Sequence, residues 1–265
     1  MKYRHEIFKK LLKFRSNMNL SLSENDIKYI WGKKFLKEIT KDSKLHINNK
    51  YENNEVNRKI QICKKHINKL KIFNWVQFIG ISGSVAAGFA KEEDDIDVFV
   101  VVRDGTIWLY RGLVVLRNIF HNRIRAKRHK NVKDKLCLNF ISEERGLNFE
   151  NDIFNFHELM FLIPVYNEKY LNFIYSQNPW LEEEYYVKKE NLQSKILPKK
   201  EINIIVRIFN YLAFVSQIIF MSIARHRPDI KNLSEDNKKG RIQFFEKDYK
   251  KDILKNYSKE FKSIN

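Results

Sequence analysis

The run Asp95–Val102, "DIDVFVVV", sets two carboxylates one residue apart at the head of an almost unbroken apolar stretch. Such a stretch reads as a strand covered on both faces. Side chains alternate along a strand, so Asp95 and Asp97 point one way while Ile96 and Val98 point the other. Ionised carboxylates beside a core are costly without a positive partner, and two side by side push one toward protonation. A divalent cation between them reverses that balance and keeps both ionised. Paired carboxylates suit magnesium, which binds through one or two of them together with substrate phosphates. The bland alternative is a solvated pair on an edge strand, and the apolar surroundings argue against it. Asp94, one residue earlier, is read as solvated and facing away.

The second half of the pattern lies ten residues upstream, in Ser82-Gly83-Ser84. Glycine lets a backbone approach a ligand closely. A strand-to-helix turn there exposes main-chain N–H groups, which suit the β- and γ-phosphates of a nucleotide, and the Ser84 hydroxyl adds a further bond. The chemistry that follows is metal activation of an acceptor hydroxyl at an α-phosphate, with pyrophosphate leaving. Arg111 falls about five residues into a helix starting near Thr106. It is a candidate phosphate ligand, and a surface arginine is the equal alternative.

These residues resemble the polymerase β-like nucleotidyltransferase superfamily, whose motif is a Gly-Ser, a spacer of about ten residues, then Asp-hydrophobic-Asp-hydrophobic. A narrower likeness runs from about residue 55 to 250, to largely uncharacterised bacterial and archaeal nucleotidyltransferase-like proteins. It rests on Trp108-Leu109-Tyr110-Arg111, Cys137-Leu138-Asn139, His157-Glu158 with Pro164, and the Asn178–Trp180 loop. Relatives often begin with a winged-helix-like segment; no wing is legible here, so DNA binding is not carried over to it. The resemblance implies a small mixed β-sheet core in an α+β chain, Mg as cofactor and an NTP, ATP by preference, as substrate. It also implies a third carboxylate on the next strand, as general base and metal ligand. Asn139 fills that slot best, and an amide oxygen ligates a metal but accepts no proton. Glu143, Glu144 and Glu158 are the candidate bases. The implied activity is transfer of a nucleoside monophosphate, AMP by preference, to a hydroxyl of a small molecule, a tRNA or a protein. The alternative is a nucleotide- or RNA-binding module with a degraded site.

Organisation follows from periodicity. Residues 1–72 read as helical: Ser23 and Asp26 form a capping box, and Ile27, Ile30, Trp31, Phe35 and Ile39 recur at helical spacing. Val56, Ile60, Cys63, Ile67 and Leu70 make a second stripe. Residues 73–145 read as the α/β core, with strands at 74–82, 95–102 and 134–142. Residues 146–265 read as helical again, and Phe154, Phe156, Phe161, Tyr166 and His157 as packing residues. Ile208–Ala224 holds 17 residues without a charge. That is short of the ~20 a spanning helix needs, so it reads as a buried helix and no membrane span is expected.

The net charge of +18, from 50 Lys+Arg against 32 Asp+Glu, admits an anionic partner or mere compositional drift. The run 117–135, with eight Lys/Arg and one acid, is the segment where nucleic acid or another anion would bind; His121 and His129 within it lack metal-ligand spacing. Cys63 and Cys137 alone make neither a metal site nor a disulfide framework. With no secretory pattern at the N-terminus, they fit a cytoplasmic setting.

Overall fold

The computed structural model describes residues 2–41, 54–121, 124–125, 131–193, 202–223, 230–243, 250–255 and 257, and for residues 118–121, 139 and 230–232 the backbone alone. Three helices open the chain: α1 (Lys2–Ser16), α2 (Glu24–Trp31) and α3 (Lys33–Thr40). The capping box forms: Ser23 Oγ accepts from Asp26 N at 3.2 Å and Asp26 Oδ2 accepts from Ser23 N at 2.8 Å. The apolar stripe from Ile27 to Ile39 is split between α2 and α3, because Gly32 takes φ +90° at the joint.

After α4 (Asn54–His66) comes β1 (Val76–Ile81), then α5 (Gly83–Ala87), β2 (Ile96–Val102), α6 (Ile107–His121) and β3 (Leu136–Glu143). The three expected strands are present, each shifted by a residue or two. Two more were not foreseen, β4 (Ile163–Tyr166) and β5 (Arg241–Gln243). Between them lie α7 (Ile153–Phe161), α8 (Tyr170–Ser176), α9 (Trp180–Glu183), α10 (Ile204–Ile223) and α11 (Ile230–Lys238). The mixed sheet runs β4-β1-β2-β3-β5, with β2 at its centre. Only β2 and β3 pair in parallel, with α6 as the crossover between them; the other pairings are antiparallel.

Strand alternation divides the core in two. Ile96, Val98, Val100 and Val102 face a cluster built with α4, α6 and α10. Phe99 and Val101 face a larger one that joins α1–α3 to α7–α9. Phe154, Phe156 and His157 are buried, as expected of packing residues.

The expectation of a buried helix over Ile208–Ala224 is corrected. One side of α10 packs on α6 through Phe214, Gln217 and Ile218. Ile204, Ile208, Phe209, Leu212, Ile219, Phe220 and Ile223 stand exposed on the other side. The polar residues are used inward: Asn210 Oδ1 accepts from the N–H groups of Trp108 and Leu109 at 2.8 and 3.0 Å. Gln217 donates to Trp108 O at 2.8 Å. Asn210 thereby satisfies the opening turn of α6, whose first N–H groups have no partner within their own helix. Thr106, at the head of that turn, donates its hydroxyl to Arg103 O at 2.7 Å.

Candidate active site

Asp97 lies on β2 with its side chain on the face of Phe99 and Val101. The antiparallel pairing of Ile81 with Val98 sets Ser82 opposite Asp97, and Ser82 N donates to Asp97 O at 3.0 Å. The chain then turns into α5 through Gly83 at φ +64°. A Cβ at Gly83 would lie 2.2 Å from Asp97 Oδ2. Only glycine lets the turn and the carboxylate share this space, so Gly83 and Asp97 are one geometric unit.

Ser84 is engaged rather than free: its hydroxyl donates to Asp94 Oδ2 at 3.2 Å, and Lys91 N donates to the same oxygen at 2.9 Å. Asp94 is therefore not the solvated carboxylate expected. It fastens the loop before β2 to the Gly-Ser turn, as a short acceptor at a turn commonly does.

On β3 the parallel register brings Cys137 beside Asp97, and a bulge separates that pair from Phe99 and Phe140. Donor atoms of Asp95, Asp97 and Cys137 lie within 4.8 Å of one another. The residue next to the carboxylates is thus Cys137, which the sequence reading had set aside as no metal ligand. The backbone of Asn139 lies within the bulge and its side chain is outside the described residues.

Burial, then Asp95, then Glu158 raise Asp97 to about 7. The same surroundings push the Cys137 thiol well up, burial foremost and the two carboxylates next. Arg125, from the basic run, answers part of this charge: its Nη1 lies 2.7 Å from Asp95 Oδ2. It is held there by a backbone bond from Arg125 N to Leu136 O at 2.8 Å. Of the rest of the run 117–135, residues 122–123 and 126–130, His129 among them, lie outside the described set, as does the His121 side chain.

The candidate bases separate. Glu143 is buried at the start of α6, where its Oε1 accepts from Gly105 N at 2.8 Å and its Oε2 meets Arg145 Nε at 2.7 Å. Glu144 accepts from the Tyr170 hydroxyl at 2.9 Å. Glu158 on α7 is the one whose charge reaches Asp97. Arg111 lies on α6, against the opposite face of the sheet, and its guanidinium donates to Gln217 on α10. It is not brought to the carboxylates.

Two buried cations the sequence did not single out position the site. Lys59 on α4 is wholly buried and donates to Asp94 O at 2.7 Å, Glu92 O at 3.1 Å and Asp134 Oδ1 at 3.0 Å. It ties together the loops that lead into β2 and β3. Arg15 on α1 donates to Ala87 O at 3.1 Å and meets His157 Nε2 at 2.9 Å. Burial foremost lowers the pKa of His157, with the Arg15 charge acting the same way and Glu158 opposing. The nearest legible signal for both was a basic residue inside or next to an apolar helical stripe.

Fit to a cation rests on an orphaned atom as well as on the donor set. Ser82 Oγ is buried on the carboxylate face and has no hydrogen-bond partner among the described residues. Buried polar groups without a partner are uncommon; this one belongs to the residue whose backbone N–H bonds Asp97 O.

With this arrangement of strand, glycine turn and paired carboxylates described, comparison supplies the class. The nucleotidyltransferase domain family model matches residues 63–157, a span that holds Gly83, Ser84, Asp95, Asp97 and Cys137. The chain carries a nucleotidyltransferase domain, consistent with the polymerase β-like superfamily. No curated protein and no solved structure matches it.

Proposed function

We propose that the chain transfers a nucleoside monophosphate, AMP from ATP, to a hydroxyl of an acceptor. The observation that carries this reading is the interlock of Gly83 with Asp97, which puts the exposed turn of α5 against the carboxylates. Gly83 and Ser84 offer main-chain N–H groups to the triphosphate. Asp95 and Asp97 would hold a divalent cation, magnesium being the ion two carboxylates and phosphate oxygens suit. Such an ion neutralises charge on the phosphates and lowers the pKa of a bound hydroxyl. In the transfer, the acceptor oxygen forms a bond to the α-phosphorus, and the bond from that phosphorus to the pyrophosphate oxygen breaks. The hydroxyl proton passes to a carboxylate, for which Glu158, whose charge acts on Asp97, is the candidate. The basic run 117–135, whose Arg125 pairs with Asp95, is assigned to the acceptor, a tRNA end, another polyanion or a protein. A reducing, cytoplasmic setting is part of this proposal.

The Arg125–Asp95 pair favours a second reading, a nucleotide- or RNA-binding module in which an arginine stands where an ion would. One experiment separates the two. The full chain is incubated with each α-labelled NTP, magnesium or manganese, and cell extract. Label transferred to a product, and lost in Asp95→Asn, supports the enzyme. Nucleotide binding without transfer under any ion supports the module.

A further inference from the structure

We propose that Cys137 is a third ligand of the cation held by Asp95 and Asp97, and that it turns the site toward a borderline ion such as zinc or cobalt. The inference rests on the reading of this cluster as a cation site and revises the ion that two carboxylates alone would select. Three observations carry it. The parallel register pairs Cys137 directly with Asp97. The sulfur and one oxygen from each carboxylate fall within 4.8 Å of one another, close enough to converge on a single ion. Ser82, backbone-bonded to Asp97 O, carries a buried hydroxyl oxygen with no partner among the described residues.

Donor chemistry then decides the ion. Magnesium takes oxygen and gains little from sulfur, whereas thiolates favour zinc and related metals. In the metal-free protein burial, then the two carboxylates, push the Cys137 thiol up and favour its neutral form. Ligation forms one sulfur–metal bond, breaks the S–H bond and releases one proton to buffer; no oxidant or reductant is needed. Cys63 serves as a built-in control, since it is fully buried on α4 within an apolar cluster.

The test is a cobalt(II) titration of the chelator-treated full chain, followed by absorbance. A near-ultraviolet sulfur-to-cobalt charge-transfer band should grow to one equivalent, persist in Cys63→Ser and vanish in Cys137→Ser. Cobalt affinity in Cys137→Ser should fall by more than the roughly tenfold that losing a hydrogen-bond partner of a ligand costs. Magnesium affinity should stay within about twofold, because magnesium draws on oxygen donors. Should Cys137→Ser misfold, alkylation of the wild-type chain replaces it: zinc should shield Cys137 and magnesium should not. Cobalt bound without the band, or zinc that leaves Cys137 open to alkylation, overturns this proposal and leaves the carboxylate site standing. A chain that binds neither cobalt nor magnesium overturns the cation site itself.

Discussion

At the scale of single residues, Asp97 carries most of the tension in the site. Burial and the neighbouring carboxylates raise it from 3.8 to about 7 in the folded chain. The folded state therefore holds the proton more tightly than the unfolded one. That contribution is complete below about pH 4 and is lost as pH rises through about 7, at roughly 1.4 kcal/mol per pH unit within that window. In metal-free protein, urea midpoints should fall between pH 5 and pH 8 more steeply for wild type than for Asp97→Asn. Parallel profiles would remove Asp97 as the source of the tension. A bound cation should restore the loss at pH 8, since it favours the ionised form. Gly83, Asp95 and Asp97 were legible because they lie within 15 residues of one another, where local alternation and turn chemistry suffice. Cys137 was not, because its place depends on a register between strands 40 residues apart, set by a bulge with no signature in the sequence. Asp94 was misjudged for a related reason: β2 begins at Ile96, so strand alternation does not govern its side chain.

At the scale of elements, α10 shows the limit of periodicity most clearly. Helical spacing says which residues share a face, not which face meets the protein. The polar residues Asn210 and Gln217 point inward because α6 presents unpaired N–H groups and a carbonyl there. Asn210→Ala should cost roughly 1–3 kcal/mol, since it strands two backbone donors at a packed helix start. Ile219→Ser, on the exposed side, should shift stability by no more than about 0.5 kcal/mol. Thermal denaturation of the two variants checks the pair, and the reverse order would mean that α10 packs by its apolar face. The strands β4 and β5 escaped notice because four and three residues are too few for alternation to register. The helices of residues 2–40 were read in outline, with the break at Gly32 missed because glycine also sits inside helices.

At the scale of the whole molecule, the three segments read from the sequence share one interior. Phe8, Leu11, Phe14, Trp31 and Phe35 pack with Phe156, Leu159 and Tyr185 in the cluster that also reaches Phe99 on β2. Arg15 links α1 to the end of α5 and to α7, so the opening helices buttress the Gly-Ser turn. Removal of residues 1–41 should therefore abolish cooperative melting and near-ultraviolet dichroism rather than leave a trimmed enzyme. A truncated chain that melts sharply would show the core to be independent of those helices. The other end of the chain matters in a different way. β5, at residues 241–243, covers the free side of β3 by pairing with Phe140, Ile141 and Ser142. During synthesis, that edge stays unpaired until residues 241–243 have emerged from the ribosome. At about 5–20 residues per second the nascent protein carries an open strand edge for several seconds after β3 emerges. Open edges recruit other strands, so a ribosome stalled between residues 143 and 241, or a nick in that interval, would leave a fragment with Asp95, Asp97 and Cys137 made and its sheet unfinished. For this protein the hazard of aggregation is concentrated in the time it takes to be translated.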